Sequence, residues 1–167
     1  QQSLQTAREL AQALSERDEV FVLSYANNVK VLQSFTSNRS QIQKALRGIR
    51  SRGETAAYDA LGLGLEMMKD AKHDKKILLM LTDGFDSKSK LKHDDIHELL
   101  KRAEVLVYAI GIDDDDSDPE VRRRTRYHIY HYMLARLTGV TGGRAFRLYT
   151  GRRYALRSLA EVLLEYA

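Results

Sequence analysis

A short acidic turn follows a strongly apolar segment of the chain. Residues 77–81 are five consecutive apolar residues, and Thr82, Asp83 and Gly84 come directly after them. An apolar run of this length, bounded by charged residues, predicts a strand that is buried on both faces of a parallel sheet. In open α/β sheets, ligands bind beyond the carboxyl ends of such strands. The sequence therefore predicts a functional role for the Asp83 carboxylate at that edge.

A second group of polar side chains surrounds the start of a helix that is predicted from about residue 57. Thr55 precedes this helix, where a threonine side chain can cap the first turn. Asp59 lies in that turn, where a carboxylate interacts favourably with the helix dipole. Asp86 and Ser87 are expected to cap or solvate the turn after residues 77–81. These structural roles compete with ligand roles, and the residues alone leave the choice open.

The composition excludes several classes of function. The 167 residues include no cysteine, which excludes disulfides, thiolate metal sites and cysteine nucleophiles in this segment. The net charge of +4 is mild and does not by itself favour nucleic-acid binding. No apolar run reaches the roughly 18 residues that a membrane span needs. A chain of 167 residues is expected to form one domain with a sizeable core.

Strands and helices are predicted to alternate along most of the chain. The predicted strands are residues 20–25, 29–35, 77–81, 105–112 and 145–149. The predicted helices are residues 4–14, 40–49, 57–70, 129–137 and 153–166, with a further helix that begins at Asp94 or Asp95. This alternation indicates βαβ crossovers on a mostly parallel sheet. The short connection at Asn27 and Asn28 favours a hairpin, so we expect the strand 29–35 to be antiparallel and at an edge.

Local spacing also predicts caps and core positions. Ser40 is expected to cap the helix 40–49. Apolar residues at helical spacing are expected to face the core, and they are Leu4, Ala7, Ala11, Leu14, Ile42, Ala45, Leu46, Ile49, Ile96, Leu99, Leu100 and Ala103. In the strand 29–35, strict alternation predicts that Val29, Val31, Gln33 and Phe35 share one face.

Several segments, in the order in which they occur, resemble the von Willebrand factor A (VWA) domain. The similarity is closest to the bacterial proteins described as von Willebrand factor A-related, and it covers nearly the whole chain. The segments are residues 35–37, 53–61, 81–84, 107–111 and 141–146. The resemblance implies a Rossmann-like three-layer α/β sandwich, with a mostly parallel central sheet, one antiparallel edge strand and helices on both faces.

The same resemblance implies a Mg²⁺ site at the carboxyl edge of the sheet. In this family three loops supply the ligands: an Asp-x-Ser-x-Ser motif on the first, a threonine on the second and an aspartate on the third. By similarity, Thr55 is the second-loop ligand and Asp83 the third-loop ligand, bound directly or through water. Mg²⁺ prefers octahedral oxygen coordination and keeps several waters, so it needs few protein ligands. Hydroxyl ligands leave its charge available to an acidic group of a partner.

The sequence departs from the family pattern at the first loop. No Asp-x-Ser-x-Ser motif occurs in the 167 residues, and the chain starts within the first predicted helix. We therefore expect residues 1–167 to be a single VWA-like domain that lacks its first strand. The missing strand and loop would comprise about 10–20 residues. Glu54 stands where the family commonly has a small residue, and its side chain is expected to point into solvent.

The resemblance implies a protein-binding domain of the adhesion or scaffold type, and not an enzyme. Its expected partner is a protein that offers an acidic residue to the metal, outside the cytoplasm. No small-molecule substrate is evident, and nucleic acid is not the expected partner. One alternative is a structural VWA-like domain that binds no metal. Another is a phosphoryl-transfer enzyme that holds Mg²⁺ with Asp83 and Asp86, although no phosphate-binding loop or general base is evident.

Three further groups of residues receive structural interpretations. The acidic run at residues 113–118 lacks the spacing of a calcium loop and is expected to be a solvated loop within the charged insertion 113–126. The basic and aromatic residues 122–132 could contact an acidic partner or nucleic acid, and a partner-binding or dimer surface is the competing interpretation. The five histidines show no zinc-type spacing, although His93 and His97 lie four residues apart.

Overall fold

The computed structural model describes residues 2–49, 53–82, 86–112 and 133–148, in which helices and strands alternate. The elements in chain order are α1 (Gln2–Ala13), β1 (Val20–Tyr25), β2 (Val29–Thr36), α2 (Arg39–Arg47), α3 (Ala57–Met67), a 3₁₀ turn (Met68–Asp70), β3 (Ile77–Thr82), α4 (His93–Lys101), β4 (Leu106–Ile112), α5 (Ala135–Val140) and β5 (Ala145–Leu148). The predicted α/β class is confirmed. The predictions for residues 113–132 and for the helix 153–166 lie outside the described residues.

The strands form two hydrogen-bonded groups. β3, β4 and β5 make a parallel sheet in that order, with Ile77 opposite Leu106 and Ala109 opposite Ala145. β1 and β2 form a separate antiparallel pair. The predictions of a mostly parallel sheet and an antiparallel edge strand are therefore confirmed. The crossovers between the parallel strands contain helices, as parallel connections require.

Helices cover both faces of the parallel sheet. Successive side chains of β4 point to opposite faces, and apolar residues on each face pack against these helices. Val107 and Ala109 point to one face, where they contact a core made by α3, α4 and α5. Tyr108 and Ile110 point to the other face, where they pack against Leu10 of α1. The fully buried side chains include Leu61, Ile96, Leu100, Ile110, Leu134 and Leu137. None of the helices among the described residues is long and apolar enough to cross a membrane.

The β1–β2 pair deviates from the strict alternation that the sequence predicted. The pairing shifts between Val22 and Leu23, so Leu32 has no direct partner on β1. Such a bulge turns the side chains that follow it to the other face. Leu32 packs against a small core that contains Val22, and Val31 is 47% exposed. Gln33 lies opposite Val22 and Val31 lies opposite Leu23, so the prediction that Gln33 shares one face with Val31 is wrong.

Two helix starts also differ from the predictions. Asn38, and not Ser40, caps α2, because the Asn38 side-chain oxygen accepts hydrogen bonds from the backbone N–H groups of Ser40 and Gln41. In α4, the cap position is Lys92, whose N–H donates to the Asp95 carboxylate over 2.8 Å. Leu99 of α4 was predicted to face the core but is 44% exposed.

A side-chain hydrogen bond links the antiparallel pair to the parallel sheet. The Tyr25 hydroxyl donates a hydrogen bond of 2.6 Å to the carbonyl of Leu81 in β3. The Lys76 carbonyl accepts from Leu106 of β4, so the carbonyls of Ile77, Leu79 and Leu81 point to the opposite edge of β3. Among the described strands, none pairs with that edge, or with the edge of β1 that faces away from β2.

Candidate metal site at the carboxyl edge of the sheet

The loop that carries Thr55 is held against the turn between β1 and β2. The Ala56 N–H donates to the Ala26 carbonyl over 2.9 Å, and the Glu54 N–H donates to the Asn27 side-chain oxygen over 2.7 Å. Gly53 has a φ of +108°, and a Cβ atom there would lie 2.4 Å from the Asn27 side-chain oxygen. Only glycine fits this close approach without a shift of the neighbouring atoms. Gly53 and Asn27 therefore hold the backbone directly before Thr55 in place.

The loop after β3 is held against Thr55. The Thr55 N–H donates to the Ser87 hydroxyl over 3.0 Å, and the Thr55 carbonyl accepts from the N–H groups of Ser87 and Lys88, at 2.9 and 3.2 Å. Asp83 lies outside the described residues, four positions before Ser87. The structure thus brings Thr55 to the segment that follows Asp83. The ligand role of Asp83 stays a prediction.

The first turn of α3 is capped by side chains from the loop after β3. The Tyr58 N–H donates to the Asp86 carboxylate, and the Asp59 N–H donates to the Ser89 hydroxyl, both over 2.9 Å. The residue at the cap position is Ala56, whose side chain makes no capping bond. Thr55 therefore does not cap α3, and within the described part of the chain its half-buried hydroxyl makes no hydrogen bond. This oxygen is available as a ligand.

Asp86 accepts three hydrogen bonds in this capping role. One carboxylate oxygen accepts from Tyr58, and Ser89 donates to the same carboxylate through its N–H at 3.2 Å and its hydroxyl at 2.5 Å. The prediction that Asp86 caps is correct, although it caps the distant helix α3. Two of these bonds go to Oδ2 and one to Oδ1, so the carboxylate already has a structural role that a metal ion would share or displace.

The Asp59 side chain of α3 also bonds to the backbone of the loop after β3. Its carboxylate accepts hydrogen bonds from the N–H groups of Lys90, at 3.0 Å, and Leu91, at 2.9 Å. The sequence indicated only its favourable place near the helix N-terminus. Ser89 was not singled out at all, because no local spacing shows that two segments about 30 residues apart will meet. The run Asp86-Ser87-Lys88-Ser89 is rich in side chains that bond to backbone groups, and this was the available signal.

An ion pair lies at the exposed rim of these loops. Lys88 contacts Glu54 over 2.9 Å, and each side chain is about half exposed. The hydrogen bond that Lys88 donates to Glu54, and then the negative charge of Glu54, raise the pKa of Lys88 above its usual value. Glu54 was expected to point into solvent; it is exposed, and it also pairs with Lys88 across the two loops. Nearby, burial and then the Asp86 carboxylate raise the pKa of Tyr58.

The donor set of the described residues fits part of a Mg²⁺ site. Thr55 offers a free hydroxyl, which is a ligand type that Mg²⁺ accepts. No group of three or more His, Asp or Glu side chains able to hold a metal ion occurs among the described residues. His93 and His97 stack with ring centroids 6.0 Å apart, and no third ligand joins them in that part of the chain. A complete site therefore needs Asp83 and further oxygen ligands.

Solved structures of low sequence identity share this fold. The structure of the conserved hypothetical protein BatB from Bacteroides thetaiotaomicron is 15% identical with a TM-score of 0.75, and the match covers 99% of this chain and 86% of that one. The von Willebrand factor domain of the type V pili tip protein Mfa5 from Porphyromonas gingivalis is 8% identical with a TM-score of 0.71, covering 98% and 87%. An aerotolerance-related membrane protein from Bacteroides fragilis is 16% identical with a TM-score of 0.68, covering 98% and 87%.

The sequence itself identifies the family. A search among curated proteins found no match. Residues 1–85, which are just over half of the 167 residues, match the sequence model described as the von Willebrand factor type A domain. The matched part includes the Thr55 loop and ends just after Asp83. The chain therefore belongs to the von Willebrand factor type A domain family.

Proposed function

We propose that this VWA domain is a protein-binding module that recognises its partner through a Mg²⁺ ion held by Thr55 and Asp83. VWA domains commonly mediate protein–protein interaction, which supports binding as the general role. The observation that carries the proposal is the Thr55 hydroxyl, which makes no hydrogen bond to another described residue and lies in a loop that is bonded to the segment following Asp83. The capping task that would compete for this hydroxyl belongs to Asp86 and Ser89.

The proposed mechanism assigns a task to each loop. The backbone of Thr55 is fixed at both its N–H and its carbonyl by Ser87, which holds the hydroxyl at the carboxyl edge. Asn27 fixes the same loop from the opposite side. Bound Mg²⁺ would supply a positively charged contact for a carboxylate of the partner. The Glu54–Lys88 ion pair at the rim offers a partner one charge of each sign, so the charge of the metal decides the preference for an acidic group.

We propose that a further strand and its loop precede residue 1 in the natural protein and complete the site. The support is the pair of edges on β1 and β3 that no described strand occupies, although α3 packs against both strands. Exposed peptide groups on two such edges are a liability in a stable domain. A strand between them would supply the missing hydrogen bonds, in place of the contact from Tyr25 to Leu81. Its carboxyl end would lie beside Thr55.

We further propose that the domain works outside the cytoplasm and binds a protein, and not nucleic acid or a small-molecule substrate. Structures with the same fold include a pili tip protein and an aerotolerance-related membrane protein, which supports this setting. The partner class follows from the proposed metal, because a divalent cation at an open edge selects an acidic side chain.

Binding is favoured over phosphoryl transfer. The enzyme hypothesis requires Asp86 to share Mg²⁺ with Asp83, but the Asp86 carboxylate holds the first turn of α3 through Tyr58 and Ser89. Lys88, the nearby cation, is paired with Glu54. A structural domain without metal remains the alternative that an experiment must separate from the proposal.

The test uses the full-length protein, its Thr55→Ala and Asp83→Ala variants, and Ser37→Ala as a control outside these loops. We expect millimolar Mg²⁺ to raise the melting temperature of the parent and of Ser37→Ala, because binding to the native state stabilises it by mass action. The two site variants should lose this rise. An unchanged melting temperature of the parent would support the structural alternative. Phosphatase turnover that disappears in Asp83→Asn would support the enzyme.

A further inference from the structure

The contact between the start of α3 and the loop after β3 is reciprocal. Asp86 and Ser89 cap α3 by accepting from the N–H groups of Tyr58 and Asp59, and Asp59 accepts in return from Lys90 and Leu91. We refer to Asp59, Asp86 and Ser89 as the α3 clamp. Each segment thus supplies the acceptors that the other segment needs.

Ser89 lies at the centre of the α3 clamp. Its hydroxyl accepts from the Asp59 N–H and donates to Asp86, so one side chain links all three members. The side chains of Asp86 and Ser89 are partly buried, where a hydrogen bond to a carboxylate is stronger than in water. The clamp therefore restrains the loop after β3 more firmly than two surface hydrogen bonds would.

Each side of the α3 clamp follows one of the two predicted ligands along the chain. Thr55 is two residues before α3, and Asp83 is three residues before Asp86. The clamp joins the first turn of α3, which follows Thr55, to the segment that follows Asp83. A metal site needs its ligands held near their bound positions, and residues that hold ligands commonly change metal affinity by about 10–100-fold when mutated.

We propose that Asp59, Asp86 and Ser89 are positioning residues for cation binding, because they hold the start of α3, just after Thr55, against the segment that follows Asp83. None of the three binds the cation in this proposal. Ser89 is the member whose mutation tests this role most directly, because loss of its hydroxyl breaks the link between Asp86 and Asp59 while leaving both carboxylates in place. This inference rests on the proposed function, since it needs Thr55 and Asp83 to share an ion.

The experiment compares Mg²⁺ affinity with stability in the full-length protein. Ser89→Ala should weaken Mg²⁺ binding in calorimetric titration by about tenfold or more, and Ser89→Thr, which keeps the hydroxyl, should restore most of the affinity. Asn38→Ala is the matched control, because it removes a side-chain cap from α2. It should lower the melting temperature in the absence of Mg²⁺ and leave the affinity unchanged.

The outcomes separate the two proposals. If the parent binds Mg²⁺ and Ser89→Ala binds it equally well despite a lower melting temperature, the positioning role is wrong and the proposed function stands. If the parent binds no Mg²⁺, both fail, and the α3 clamp serves stability alone. Asp59→Asn provides a second reading, because it weakens the bonds to Lys90 and Leu91 without touching Ser89. It should speed hydrogen exchange at these two amides and also weaken Mg²⁺ binding.

Discussion

The N-termini of helices α2 and α3 are capped in two different ways. Asn38 caps α2 from the adjacent position, by accepting from Ser40 and Gln41. The first turn of α3 is capped by Asp86 and Ser89, which come from a loop about 30 residues further along the chain. Both arrangements satisfy the N–H groups that a helix start leaves without partners. Only the second one joins two segments of the protein.

The difference shows how a cap can organise a site. A local cap stabilises its own helix and can be removed without moving any other part of the molecule. A cap from a distant loop makes the helix start and that loop depend on each other. In this domain the dependent segments are the two that carry Thr55 and the residues after Asp83. The fold uses non-local capping where the Thr55 loop meets the segment that follows Asp83.

The largest effect should follow loss of the non-local cap. Asp86→Ala removes the acceptor for Tyr58 and for Ser89, and we expect a loss of roughly 2–3 kcal/mol in the free energy of unfolding, because bonds to a charged group are the stronger ones. Asn38→Ala should lose about 1 kcal/mol, which is typical of a local cap. Urea denaturation measures both values. Equal losses would show that the two caps differ only in their place in the sequence.

A smaller effect should come from the glycine that fixes the Thr55 loop. Gly53→Ala places a Cβ atom 2.4 Å from the Asn27 side-chain oxygen, at a positive φ. We expect a loss of about 1–2 kcal/mol in the free energy of unfolding. Gly139→Ala is the matched control, because Gly139 lies in α5 and a Cβ atom there meets nothing within 4 Å. This change should raise stability by roughly 0.5–1 kcal/mol. A neutral Gly53→Ala variant would show that the loop adjusts freely.

The same contrast between local and non-local contacts explains what the sequence could predict. The strands 20–25 and 77–81 were found within one residue of their observed ends, because apolar runs and turn residues are local signals. The α/β class followed from their alternation with helices. The inward residues Ile42, Ala45 and Leu46 were also correct, since helical spacing decides them.

The errors arose where a distant contact decides the outcome. Gln33 was placed on one face with Val31, but the shifted pairing of β2 with β1 turns it to the opposite face. Leu10 was not predicted as core, although it packs against Tyr108 and Ile110 of β4. For the site, Asp59 and Asp86 were noticed as acids near turns, but their exchange of hydrogen bonds depends on a meeting of segments that spacing does not reveal.

The smallest effect is a pH dependence at the start of α3. Burial, and then the Asp86 carboxylate, raise the pKa of Tyr58 above its usual value of 10.0. In this range the folded protein keeps the phenol proton while the unfolded chain releases it, so stability falls as the pH rises. The contribution of Tyr58 is therefore fully present below about pH 10 and is lost above it. The start of α2 contains no corresponding tyrosine.

The variant Tyr58→Phe isolates this contribution. It keeps the ring and the backbone N–H that binds Asp86, and it removes only the titrating hydroxyl. Urea denaturation between pH 8 and about pH 11 should show a shallower loss of stability in Tyr58→Phe than in the parent. Parallel curves would mean that the phenol titrates equally in both states. In that case the field of Asp86 does not extend beyond the backbone of α3, and the non-local cap holds the helix start without changing the chemistry of its side chains.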